Sequence, residues 1–189
     1  EIFLAVQDFG KAYLVKLFGD ETPPASFIGY FTQLLKKLYR LLLLFRKEWL
    51  HSEFKPISFE LKIDNGSKAI PLEIPLEKGS VSLIGKVDRV DAFKKDGKTY
   101  IRVIDYKSGS KTFDLQNIYN GIDVQMLMYL HSITDKGVFG EKGEVLPAGI
   151  MYVNVNPVIV TIKRDEGLEE AEKELRNKRK RSGLLINDS

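Results

Sequence analysis

The sequence predicts an α/β fold, a mixed β-sheet flanked by helices and preceded by a helical N-terminal segment, and three patterns point to it. The first fifty residues repeat apolar side chains at three- and four-residue steps, the signature of helices with one buried face. Residues 54–63 and 81–106 instead alternate apolar and polar with period two, as strands do. A second helical pattern, residues 115–133, then separates these strands from another apolar strand at 148–155.

With 189 residues and 43% hydrophobic content, the chain can bury one sizeable core, so it reads as one domain. Within it, 1–50 form the helical segment, 54–163 the sheet and its helix, and 167–189 a C-terminal helix and tail. The start at Glu1, without Met, suggests a piece of a larger protein. A net charge of +3 is compatible with nucleic acid but does not diagnose it. The absence of cysteine excludes disulfides, thiolate zinc sites and a thiol nucleophile. No G-x-x-x-x-G-K-[ST] loop and no G-x-S-x-G elbow occur, which argues against a P-loop ATPase and an α/β-hydrolase.

In order, Ile2, Phe3, Val6, Phe9, Tyr13, Leu14, Leu17 and Phe18 define a helix over 1–18. Ser26 is the expected N-cap of a second, over 27–50. Its apolar run, Leu41 to Phe45, is too short to span a membrane and is hemmed in by Arg40, Arg46 and Lys47. His51 falls in the connection to the first strand and reads as a surface residue. Pro71 and Pro75 limit residues 70–76 to an edge segment, because proline cannot donate to a strand ladder. Asp114 is the expected cap of the helix over 115–133, with Ile118, Ile122, Gln125 and Tyr129 on one stripe and Gln125 buried. A further strand is expected at 158–163 and a last helix at 169–181, acidic first and basic last, which suits the helix dipole.

The chemistry concentrates in the hairpin over 81–106. Asp96-Gly97 favours a two-residue type I′ turn, and that turn sets Asp88 opposite Asp105, Lys86 opposite Lys107 and Asp91 opposite Arg102. Opposed carboxylates, about 4.5–5.5 Å apart at Cβ, destabilise a sheet. A hard cation gives them a purpose. Lys107 shares the face of Asp105, whereas Asp91 and Arg102 fall on the other face as a structural ion pair. A solvated edge hairpin would explain any one of these charges; their combination, with Gln125 on a following helix, points to a site.

Gly85-Lys86-Val87-Asp88-Arg89-Val90-Asp91, Asp105-Tyr106-Lys107-Ser108 and Gln125-Met126-Leu127-Met128-Tyr129 resemble the G-x-x-D-R-x-D, D-Y-K-[ST] and Q-x-x-x-Y motifs of RecB-type nucleases of the PD-(D/E)XK superfamily. Phe54-Lys55-Pro56, Phe59-Glu60, Tyr119-Asn120-Gly121 and Pro147-Ala148-Gly149 extend the likeness to AddB-type nuclease domains, over roughly 38–186. The resemblance implies a restriction-endonuclease-like fold and a DNA exonuclease dependent on Mg²⁺ or Mn²⁺. It assigns the metal to Asp88 and Asp105, water activation to Lys107, and bracing of the site or DNA contact to Gln125 and Tyr129. Glu60 is a secondary candidate near the metal, and Lys86, Arg89, Ser108 and Lys111 are candidate DNA contacts. The implied partners are DNA, without regard to sequence, and an AddA-like helicase-nuclease partner in the bacterial cytoplasm. The rival reading is a non-catalytic module of the same fold that guides DNA or docks a subunit. Two departures stand out. RecB-type enzymes usually draw a further ligand, commonly His, from an upstream helix not represented here. AddB-type proteins often hold an iron–sulfur cluster on four cysteines; with none here, either the cluster belongs to a longer parent or the lineage lacks it.

Overall fold

The computed structural model describes residues 1–109, 111–140, 143–156, 167–178 and 180–186. The helical periodicity of the first fifty residues yields α1 (Ile2–Phe18) and α2 (Ala25–His51). They make up a compact unit, Glu1–Ser52, distinct from a second, Glu53–Ser189, where the sequence reading has one domain. Aromatic contacts tie the two helices together: Tyr13 stacks on Phe31 at 5.6 Å between ring centroids, and Phe3 meets Tyr39 edge-on at 5.7 Å. α2 starts one residue before Ser26, with Pro24 at the cap position and no side-chain cap, so Ser26 lies in the first turn instead. Proline's fixed φ of −58° already suits that entry. His51 ends α2 and spends its Nδ1–H on the Lys47 carbonyl at 2.7 Å.

In the second unit the alternating segments become β1 (Lys55–Ile63), β2 (Leu72–Leu76), β3 (Gly79–Leu83), β4 (Gly85–Lys95) and β5 (Lys98–Lys107). Two helices follow, α3 (Leu115–Tyr119) and α4 (Gln125–Asp135), then β6 (Val145–Asn154), α5 (Leu168–Lys178) and β7 (Ser182–Leu185). The main sheet has the order β1-β4-β5-β6-β7; its β5–β6 pair is parallel and the others antiparallel. β2 and β3 form a separate hairpin, so residues 81–93 are two strands rather than one, parted at the exposed Ile84. The expected strand at 158–163 lies outside the described residues.

The helix expected over 115–133 is interrupted. Asp114 caps α3 as anticipated, accepting the Gln116 N–H at 2.8 Å. Gly121 and Asp123 then adopt φ of 76° and 62°, and left-handed residues cannot propagate a right-handed helix. α4 restarts at Gln125 and buries Met126, Leu130 and Ile133 in one cluster with Val90, Ala92, Ile101, Val103 and Ile150 of the sheet. That packing fixes the height of Gln125 at the open end of β5 and β6. No helix among the described residues is long and apolar enough to cross a membrane.

Candidate active site

The turn at the tip of the β4–β5 hairpin has the expected conformation, with positive φ at both Asp96 (51°) and Gly97 (74°). The register follows from it: Lys95 pairs with Lys98, Asp91 with Arg102 and Arg89 with Ile104. One step further the ladder ends, because the Asp88 carboxylate, through Oδ2, accepts the Tyr106 N–H at 2.8 Å. One oxygen of Asp88 is thereby committed to the backbone of β5, and Asp88 does not line the cleft described next.

That cleft, of about 230 Å³, opens between the ends of β5 and β6 and the start of α4, lined chiefly by Asp105, Lys107, Lys111, Asp123, Gln125 and Tyr152. Lys107 Nζ lies 2.7 Å from Asp105 Oδ2. The approach is not along a hydrogen-bonding direction, so this oxygen is buried beside a cation yet receives no hydrogen bond. Lys111 Nζ donates to Asp123 Oδ1 at 2.5 Å, which raises the Lys111 pKa. Tyr152 stands beside Asp105 in the parallel ladder, and burial raises its hydroxyl pKa, so it remains protonated at neutral pH.

Gln125 differs from its expectation in being exposed, because α4 begins with it; its Nε2 donates to the Tyr129 hydroxyl at 2.6 Å. Tyr129 is buried and reaches the start of β4, where the missing side chain of Gly85 makes room: a Cβ there would lie 2.0 Å from the hydroxyl oxygen. The glycine of G-x-x-D and the tyrosine of Q-x-x-x-Y are thus one contact. Glu60, with φ of 53°, and Lys86 form an exposed ion pair away from the cleft, and the hydrogen bond that Lys86 Nζ donates to the Glu60 carboxylate raises the Lys86 pKa. Ser108 is exposed just past β5.

Arg89 is corrected from a DNA contact to a core residue. It is fully buried, donating to Asp91 at 2.8 and 3.0 Å and to the Tyr106 hydroxyl at 3.1 Å, out of reach of a phosphate. Sequence reasoning also passed over Asp123 and Tyr152. Asp123 was hidden inside an assumed helix, and Tyr152 looked like one more apolar strand residue. Its place beside Asp105 depends on the parallel pairing, for which the sequence carries no local signal.

The PD-(D/E)XK nuclease superfamily profile matches residues 5–185. The chain belongs to this superfamily. It is 35% identical over 171 residues to a subunit of the ATP-dependent helicase/deoxyribonuclease of Clostridium acetobutylicum, covering 89% of this chain and 15% of that protein. The corresponding subunits from Clostridium novyi and Caldanaerobacter subterraneus are each 38% identical, covering 84% and 71% of this chain and 14% and 12% of their own lengths. The chain therefore spans about a seventh of the length of these relatives.

PD-(D/E)XK nucleases generally use divalent metal ions. Asp105 fits one on the cleft side, since its buried Oδ2 accepts no hydrogen bond and has only the Lys107 ammonium beside it; Asp88, outside the cleft lining, keeps one oxygen not bonded to the Tyr106 N–H. Among the described residues no three His, Cys, Asp or Glu side chains cluster closely enough to cage an ion. Mg²⁺ does not need a cage, since it commonly keeps several waters and takes one or two carboxylates.

Proposed function

We propose that this chain is a metal-dependent DNA exonuclease domain of a bacterial helicase-nuclease that trims double-strand ends for recombinational repair. The observation that carries the reading is the buried Asp105 oxygen that accepts no hydrogen bond and is paired with the Lys107 ammonium 2.7 Å away in an open cleft. Asp105, with Asp88, would hold Mg²⁺ or Mn²⁺. Such an ion, when bound, acidifies water and polarises a phosphoryl oxygen. Lys107 orients the attacking water and stabilises the charge that develops on the phosphate. Gln125 and Tyr129 set the start of α4 against β4 and so hold the cleft open. Lys111 meets a neighbouring phosphate. Contacts of this kind go to the backbone and carry no base information, so cleavage should not depend on sequence.

The relatives' names, subunits of an ATP-dependent helicase/deoxyribonuclease, support a partner helicase subunit, AddA-like in kind; work on chromosomal DNA would set the domain in the bacterial cytoplasm. The second reading, a non-catalytic DNA-guiding or docking module, draws on the absence of a three-ligand cluster among the described residues. Mn²⁺ titration by calorimetry separates the two. Saturable binding that disappears in Asp105→Ala is expected. No binding at millimolar Mn²⁺ would favour the non-catalytic module.

A further inference from the structure

Tyr152 occupies the centre of the cleft's charges. The Lys107 ammonium stands 6.0 Å from its ring centroid and the Lys111 ammonium 5.9 Å. Each lysine is paired with its own carboxylate, Asp105 and Asp123, and these four groups are the charges the phenol faces. The residue is only 6% exposed, yet its hydroxyl lines the cleft and has no hydrogen-bond partner among the described residues. The hydroxyl is also not one of the fully buried polar atoms that lack a partner, so it is open to the cleft and free to meet a ligand there. A neutral O–H on a ring with two ammonium groups about 6 Å from its centroid suits an anion that brings acceptor oxygens and is drawn in by both lysines.

We propose that Tyr152 is a catalytic residue whose hydroxyl donates a hydrogen bond to a non-bridging oxygen of the DNA phosphodiester in the cleft. This rests on the nuclease reading and adds to it a donor that no motif of the sequence marked. The hydroxyl neither gains nor loses its proton. Its bond shortens as negative charge grows on the phosphate, so it contributes more to the transition state than to the ground state. The competing account makes the ring alone the functional part, as a platform for the two lysines.

Tyr152→Phe separates the accounts, because it keeps the ring and removes the hydroxyl. Single-turnover cleavage of a short DNA duplex in Mn²⁺ should fall about 10- to 100-fold, the range expected for one hydrogen bond to a charged oxygen. Mn²⁺ affinity should not change. An unaltered cleavage rate in Tyr152→Phe overturns the proposal and leaves the nuclease reading standing, and so does a loss of Mn²⁺ binding, which would move the effect to the metal. Should the wild-type chain not cleave, the nuclease reading fails for this chain, and affinity for the same duplex in Ca²⁺ decides on the hydroxyl. Binding weakened about tenfold supports the contact to phosphate, and equal binding refutes it.

Discussion

Asp91 and Asp105 lie on the two strands of one hairpin, and their surroundings are opposite. Asp91 is fully buried and receives four hydrogen bonds, two from Arg89 and two from Arg102, at 2.8–3.0 Å. Arg102 in turn stacks 4.7 Å from the Phe54 ring centroid. Asp105 stands at the open end of its strand with a buried oxygen that accepts no hydrogen bond and a lysine as its only ion-pair neighbour among the described residues. A saturated carboxylate holds strands together. An unsaturated one retains coordination capacity, which the fold keeps free at some cost to itself.

Substitutions test that contrast. The largest effect should come from Asp105→Asn, with cleavage down by about 10³-fold, judged by the worth of a group that stabilises developing charge. Its unfolding free energy should shift by less than about 1 kcal/mol, because the partner lysine is partly exposed and can turn to solvent. Asp91→Ala should do the reverse and destabilise the second unit by about 3–5 kcal/mol in urea titration, since two guanidinium groups lose their counter-charge in the core. If both variants lost stability equally, the contrast would collapse. Asp114→Ala should show the smallest effect, about 0.5–1 kcal/mol, because that exposed carboxylate makes one capping hydrogen bond.

The hairpin was the most legible part of the molecule. Asp96-Gly97 dictated its turn, the turn its register, and the register placed Asp91 on Arg102. Motif spacing singled out Asp105 and Lys107, and their i, i+2 placement on one strand brings the two side chains within 2.7 Å. Local signals lost force where distant pairing decided the outcome. β7 carries four residues and only partial burial, too little to read as a strand without its partner β6. The break between α3 and α4 escaped notice because apolar residues on either side of it, Ile118, Ile122, Met126 and Tyr129, keep a helical rhythm across Gly121 and Asp123. Arg89 was misplaced for a related reason: in one dimension an arginine beside Asp88, the metal-ligand candidate, resembles a DNA contact, whereas strand alternation turns it inward onto Asp91.

The parallel pairing of β5 with β6 also bears on the order in which the molecule assembles. The β4–β5 hairpin closes through a two-residue turn, and isolated hairpins form in about 1–10 μs. β6 can join β5 only after the intervening α3–α4 crossover has been laid down, and contacts of long sequence separation form late. On this topology Asp105 and Lys107 are expected to be in a strand before Tyr152 arrives to close their side of the cleft. A chain still emerging from the ribosome would carry Asp105 and Lys107 in place and yet lack the wall beside them, so the cleft would be completed only once β6 has docked.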